Sequence, residues 1–571
     1  MIGTTWSTSK REYSIHTDQG LMMPVDAGHM LEAQVFRPAG PGRFPAILSP
    51  SPYAWRDQVA PLLPEAFSHR RGHMESGDPT FYARRGYAHV LVNIRGTGRS
   101  GGEFDNLGHG TIDDVCDAVG WVASQPWCDG QVAMFGASYF SVVANRVAAR
   151  PPDGLTCVFA PYAWTDAYRD RYYQGGIFNH GFTKSWFATL PSTRFAQSEL
   201  RSLWGDGRFL EALESARADP ELSAVPFLVD VLARPEQDAN RIIADLLLQP
   251  LDGEFYRQRS VDYGIPSNIP AYFGACWGVY GNHLPGAFRS YEHWNGEKKL
   301  TIGPPIYLDR PLYQYAYESL RWFDHFMKGN DTGMLEEPPV VLFVDGSRGE
   351  WRTAESWPLP ETRWTPFYLH SGGLLSEHEF WPAEPASAYT DSPYCRGEVA
   401  FTTPPMVEAT EVCGPMALTV WASTSADELL LFVSILYVTP DGNERLLTRG
   451  WLRGSQRELD LERSLPWAPY HRHAARERLE PGQVYEFDVE IRPYAVLLEP
   501  GTRLRLRIKS ADDETPQTAL EAIAMGHLHG TQHARVQIFH DDERPSRLLL
   551  PITRGNRIGT FISGGVPSPP G

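Results

Sequence analysis

Three kinds of hydrophobic pattern follow one another along the chain. In the first, compact apolar runs alternate with helical periodicity. FPAILSP (44–50), YAHVLVNIR (87–95) and GQVAMF (130–135) read as strands buried on both faces. Between the last two, TIDDVCDAVGWVAS (111–124) carries apolar residues at 112, 115, 119 and 122, one face of a helix. This alternation predicts an α/β class, a parallel sheet wrapped by helices.

From about 159 to 257 the strand signals fade. FLEALESARADPELSAVPFLVDVLAR (209–234) and NRIIADLLLQPL (240–251) are helical in pattern, preceded by the aromatic-rich YRDRYYQGGIFNHGF (168–182). IPAYFGACW (269–277) and KKLTIGPP (298–305) then resume the sheet, and YESLRWFDHFMKG (317–329) closes it with an amphipathic helix stopped at Gly329. After Glu336-Glu337-Pro338-Pro339 the period becomes two. ALTVWAST, ELLLFVSILYV, VYEFDVEI and RLRLRIKS are strands separated by turns such as Pro440-Asp441-Gly442, and their number in series predicts a jelly-roll β-sandwich. The expected division is 1–158 and 258–337 for two parts of one α/β domain, 159–257 for an inserted helical cap, and 338–571 for the β domain.

With 571 residues the chain is long enough for several cores. Its net charge of -17, from 52 basic and 69 acidic residues, argues against nucleic acid as a partner. MIGTTWSTSKREYSIHT has no apolar signal region, and no stretch approaches the roughly 20 apolar residues of a membrane span. Six scattered cysteines without a C-x-x-C pair suit a reducing compartment, so a cytoplasmic protein is expected. Nothing in the motifs asks for a cofactor or a metal. The expected partner is a small-molecule substrate, and a homodimer stays open.

The chemistry centres on VAMFGASYFS (132–141). A buried strand ends at Gly136-Ala137-Ser138 and a helix pattern follows. That is the setting of a nucleophile elbow, where a serine hydroxyl stands above the sheet of an α/β-hydrolase fold. The second glycine of G-x-S-x-G is absent, with Phe140 in its place.

GASYF, SPSPY (49–53) and NIRGTGRSGGEF (93–104) resemble the cocaine esterase and X-prolyl dipeptidyl-peptidase group, the CocE/NonD hydrolases. WVASQPWCDGQVAMFGASY, YYQGGIF, FDHFMKG, GWLRGSQRELDLERSLPWAPYH and EPGTRLRLRIKS extend the resemblance over nearly the whole length. It implies an α/β-hydrolase fold with an inserted helical cap and a C-terminal jelly roll. It also implies Ser138 as nucleophile, with the Tyr53 hydroxyl and the Tyr139 backbone N–H as oxyanion hole.

The triad partners depart from that pattern. In cocaine-esterase-like proteins the acid sits in W-x-D and the histidine in G-P-W-x-H. Here Trp277-Gly278-Val279 and Gly303-Pro304-Pro305-Ile306-Tyr307 stand instead, and no histidine lies between 294 and 324. His283, in GVYGNHLPG, is the substitute base to expect, matching a histidine of NonD-like W-T-D-x-G-L-H motifs. Trp277, Tyr172, Phe178, the cap's His180 and Asp309 are candidates for lining the pocket or orienting a substrate. GTGRSGG (96–102) mimics a dinucleotide loop but is not followed by an apolar helix, and the pairs His471/His473 and His527/His529 are spaced too closely for H-E-x-x-H geometry. Three functions stay open. One is an ester or amide hydrolase through Ser138. Another is a non-hydrolytic lyase, isomerase or cyclase in the same pocket, with Tyr307 moving a proton. The third is an inactive relative that binds a small molecule.

Overall fold

The computed structural model describes residues 7–53, 75–279, 281–305, 316–379, 384–512 and 526–556. The apolar runs of the first region form the centre of a ten-stranded sheet. Its early strands are β1 (Ile15–Pro24), β2 (Met30–Pro38), β3 (Phe44–Ser51), β4 (Ala88–Asn93), β5 (Cys128–Phe135) and β6 (Leu155–Pro161). The cap contributes a short ribbon, β7 (Tyr173–Gln174) and β8 (Ile177–Phe178), and the sheet resumes with β9 (Ala271–Cys276) and β10 (Lys298–Gly303). The spatial order is β1-β2-β4-β3-β5-β6-β9-β10, continued by two further strands, β11 (Val340–Val344) and β12 (Glu350–Ala354).

From β4 to β11 neighbouring strands run parallel. Every residue of β4 and of β9 is buried, as strands covered by helices on both faces must be. The helices His109–Ser124 and Tyr139–Ala149 make the crossovers on either side of β5. β1, β2 and β12 are antiparallel edges.

The sheet does not end at the Pro338-Pro339 linker, where the sequence pattern places the start of the β domain. Val340 pairs with Leu300 and Leu342 with Ile302, so β11 and β12 extend the first sheet. The two prolines interrupt the periodicity without ending the sheet, because they precede the first residue of β11 and remove no ladder hydrogen bond from it.

Between β6 and β9 lies the predicted helical insertion. It opens with a π-helical turn, Ala167–Tyr172, and the β7–β8 ribbon, followed by helices including His180–Phe187, Glu199–Ala218, Pro226–Ala233 and Asn240–Leu248. Beyond Ala354 the chain is all β. Strands β13 (Arg363–His370), β14 (Leu374–Ser376), β15 (Ser387–Asp391), β16 (Glu398–Thr402), β17 (Thr410–Thr424), β18 (Leu430–Val438), β19 (Glu444–Arg453), β20 (Tyr485–Leu498), β21 (Arg503–Lys509), β22 (Ala534–Phe539) and β23 (Arg547–Arg554) form one sheet. Because β23 pairs with both β13 and β17, the sheet closes into a barrel running β17-β20-β19-β18-β21-β16-β14-β13-β23. Leu504, Leu506 and Ile508 point into its core, as their alternation with charged residues predicts. Among the described residues no helix is long and apolar enough to cross a membrane.

Arg453 fastens the barrel to the cap. Its side chain is 1% exposed and pairs with Glu221 of the cap and Glu428 of the barrel. Its backbone N–H donates to the Gly175 carbonyl at 2.8 Å. Gly175 has φ 55°, and a Cβ there would lie 2.0 Å from the Trp451 carbonyl oxygen, so the ribbon turn can seat on the barrel only without a side chain. Arg453→Met removes the buried cation shared by Glu221 and Glu428 and leaves Arg478, at 4.0 Å from Glu428, as a weaker substitute. Urea unfolding is expected to show a loss of about 3–5 kcal/mol, with the cap–barrel junction failing first.

Candidate active site

The local geometry of the serine follows from the strand-to-helix turn. β5 ends at Phe135, and the helix Tyr139–Ala149 starts immediately after Ser138. The chain can reverse over so few residues only through unusual backbone angles: Gly136 has φ 147°, and Ser138 has φ 58° and ψ -120°. A Cβ at Gly136 would lie 2.4 Å from the Phe140 Cβ, which accounts for the glycine. The turn is pinned by the Ala137 N–H, which donates to the Glu75 carbonyl at 2.8 Å, and by Ser141, whose hydroxyl lies 2.6 Å from the Pro161 carbonyl at the end of β6. Ser138 is thereby held, partly exposed, above the carboxyl ends of the strands.

His283 meets it there. Its Nε2 lies 3.2 Å from the Ser138 Oγ, within reach of the hydroxyl proton. The imidazole comes from the loop that leaves β9. Trp277–Val279 form one tight turn, and the Val279 carbonyl accepts the His283 N–H at 3.1 Å. Val279, in the place of an acid, is a buried residue that fixes this loop by its backbone. His283 is itself buried, with its ring edge-on to Tyr162. Burial, assisted by the nearby Arg171 charge, pushes its pKa down to about 3. The ring is a neutral acceptor throughout the physiological range.

A chain of hydrogen bonds from the barrel reaches the same loop. His527 faces Asp512 through Nδ1 at 2.8 Å and the Gln174 side-chain oxygen through Nε2 at 2.9 Å. The Gln174 amide nitrogen donates to the Gly281 carbonyl at 2.6 Å, two residues before His283. One residue of the cap and two of the barrel thus help to hold the loop that carries His283.

Tyr53 lies just past the end of β3, against the start of the helix that follows Ser138. Its ring packs edge-on to Tyr139 at 6.4 Å and against Phe140 at 6.3 Å. The Trp186 indole N–H donates to its hydroxyl oxygen at 2.9 Å. An indole only donates, so this contact leaves the phenolic proton of Tyr53 available to an oxyanion. Burial and the Glu75 charge raise the Tyr53 pKa far above the ordinary phenol value, which keeps that proton in place. Tyr139, first residue of the helix, stacks its ring on Trp186 and turns its backbone N–H into the free set at the helix start.

The remaining candidates are distributed more widely. Tyr172 is buried in the cap, its hydroxyl bonded to Asn106 at 2.9 Å and its ring under the Arg171 guanidinium. Phe178 is fully buried against Tyr173. Trp277 is fully buried too, donating to the Phe343 carbonyl at 2.5 Å and packing on Phe288 and Tyr494. Both rings belong to the hydrophobic core. His180 sits at the junction of cap and barrel, where its backbone N–H donates to Gly526. Burial and the neighbouring His527 and His529 lower its pKa to about 4. Tyr307 and Asp309 lie outside the described residues.

Residues 27–306 match the X-Pro dipeptidyl-peptidase (S15 family) domain, and residues 332–548 match the X-Pro dipeptidyl-peptidase C-terminal non-catalytic domain. A cocaine esterase from Rhodococcus sp. (strain MB1 Bresler) is 25% identical over 95% of this chain and 99% of its own. Among solved structures, a CocE/NonD family hydrolase from Staphylococcus aureus superposes with a TM-score of 0.79, at 23% identity over 95% of this chain and 94% of its own. An aminopeptidase from a marine sediment Thaumarchaeota archaeon gives a TM-score of 0.71, at 17% identity over 97% and 98%. The chain belongs to the CocE/NonD family of serine hydrolases.

Within that family frame, several residues near Ser138 are not singled out by the sequence. Trp186 bonds Tyr53, Gln174 and His527 hold the loop that carries His283, and the Arg171 charge acts on that ring. Arg171 and Gln174 lie in YRDRYYQGGIF, whose density of aromatic and arginine residues marks a packed cap segment without naming its functional members.

The low pKa of His283 sets a testable pH dependence. The neutral ring is placed to accept the serine proton, and protonation removes that capacity only as pH falls toward about 3. The rate at which a fluorophosphonate labels Ser138 is expected to stay level from pH 8 to pH 5. A fall centred near 6.5, the ordinary histidine value, would contradict this placement of the ring.

Proposed function

We propose that this hydrolase cleaves an ester or amide through an acyl-enzyme on Ser138, with His283 as the base. The observation that carries the reading is the 3.2 Å contact between the Ser138 Oγ and the His283 Nε2. Ser138 passes its proton to Nε2 as the Oγ bonds to the substrate carbonyl carbon. The oxygen of that carbonyl becomes an oxyanion, held by the Tyr53 O–H and the Tyr139 N–H. The C–O or C–N bond then breaks, and the leaving group takes the proton from His283. Water repeats the sequence to release the acid and restore the serine.

A base of low pKa drives proton transfer weakly, so the mechanism leans on preorganised donors more than a standard triad does. Tyr53 supports that balance, since its hydroxyl is fixed by Trp186 before any substrate arrives. Its backbone is fixed as well, through the Asn93 amide donating to the Tyr53 carbonyl at 3.0 Å.

Labelling of the folded protein by a fluorophosphonate, mapped by mass spectrometry, is expected at Ser138 and absent from Ser138→Ala. His283→Ala should slow it by about 10²–10⁴-fold. Tyr53→Phe should cost short p-nitrophenyl esters about 10²–10³-fold in kcat, the usual loss for one oxyanion donor. An unlabelled wild-type protein would sink the acyl-enzyme and favour non-hydrolytic chemistry in the same pocket.

A further inference from the structure

Buried arginines in this protein have partners. Arg453 has Glu221 and Glu428, Arg321 has Glu318 and Glu337, Arg169 has Asp166 and Asp252, and Arg259 has Glu199. Arg171 is different. Its side chain is as deeply placed, at 3% exposed, yet among the described residues neither Nη1 nor Nη2 has a hydrogen-bond partner.

What surrounds the Arg171 guanidinium is aromatic. Its central carbon lies 4.4 Å from the Phe182 ring centroid, 4.6 Å from that of Tyr172 and 5.6 Å from that of Trp186. Faces of this kind hold a cation in place but offer it no acceptor. Among the described residues only the Tyr172 and Tyr53 hydroxyls favour its charge, and neither is an anion. A guanidinium stays protonated in proteins, so it cannot escape the penalty by losing its proton. A buried charge without a counter-ion is destabilising by several kcal/mol unless a ligand supplies one.

The position of Arg171 says where that ligand would be. Trp186, over which the guanidinium lies, donates to the Tyr53 hydroxyl. The same charge acts on Tyr53 and on His283, whose Nε2 contacts the Ser138 Oγ.

We propose that Arg171 anchors a carboxylate carried by the substrate itself, so that the hydrolase acts on acyl compounds bearing a free acid a few bonds from the scissile carbonyl. This rests on Ser138 marking the substrate pocket. A carboxylate fits better than a phosphate. One guanidinium balances one negative charge in a planar fork, and the neutral His283 adds no second cation for a dianion.

Binding tests the proposal separately from turnover. The Ser138→Ala protein is titrated by calorimetry with monoethyl glutarate, ethyl pentanoate and inorganic phosphate. Monoethyl glutarate is expected to bind at least about tenfold more tightly than ethyl pentanoate, and that preference is expected to vanish when Arg171→Met is added. Arg171→Lys keeps the charge without the fork and should retain a weakened preference. Without ligand, Arg171→Met should melt no lower than its parent, because it removes an unpaired charge. Equal binding of the two esters, or a preference that survives Arg171→Met, would overturn the proposal. So would phosphate binding as tightly as the half-ester. Failure of Ser138 to react with a fluorophosphonate would count against the acyl-enzyme and leave this result standing. One kinetic outcome also overturns it: if wild-type hydrolysis of acidic and neutral esters falls equally in Arg171→Met, the guanidinium serves the oxyanion instead.

Discussion

Ser138 occupies a backbone conformation that L-residues avoid, and much of the surrounding structure serves to keep it there. A residue held in such a region costs on the order of 1–3 kcal/mol, so it persists only where neighbours over-determine it. Here they do. β5 is locked between β3 and β6, the Glu75 and Pro161 carbonyls grip the turn from two sides, and Phe140 leaves room at Gly136 for a hydrogen atom alone. The helix that follows starts immediately after the serine, with its first ring, Tyr139, packed edge-on to Tyr53.

The imidazole that meets Ser138 arrives by the loop after β9. In the resemblance read from sequence, that loop carries an acid and a later loop carries the histidine; here Val279 stands at the acid's place in the motif and His283 follows it. The position sets the electrostatics of the ring. It lies deep, under the influence of the Arg171 charge, and both favour its neutral form. In the proposed mechanism such a ring is an acceptor that is always available and never strong, so that the proposed oxyanion donors would carry more of the work.

What could be read from sequence divides along the range of the interactions. The elbow was legible because strand, turn and helix signals lie within a few residues of one another around Ser138. Tyr53 and the Tyr139 N–H came with the family resemblance, on motifs that lie close to strand ends. His283 was within reach because it follows the β9 strand on a short loop. Trp186 and the Asp512–His527–Gln174 chain were not, since each depends on a contact between residues far apart in sequence, and Arg171, ringed by cap residues near it in the chain, was not because composition does not tell a paired arginine from an unpaired one. Trp277 and Phe178 carried a different lesson. An aromatic residue near a catalytic loop is consistent with lining a pocket or filling a core, and only packing decides; here both fill cores. The β11–β12 hairpin was missed because Pro338-Pro339 looks like punctuation between domains, whereas sheet membership is set by the backbone pairing that follows.

That hairpin bears on how the molecule can be dissected. A fragment cut at the apparent linker would expose the β10 edge, with Leu300 and Ile302 in a strand whose outer row of amides and carbonyls has lost its neighbour. Such an edge invites pairing with other copies. β11 also runs on to Asp345, whose N–H and carbonyl pair with Ala495 and Leu497 of the barrel. The two domains are therefore also joined main chain to main chain at Asp345, and a catalytic fragment cut at the apparent linker would carry a sticky flank.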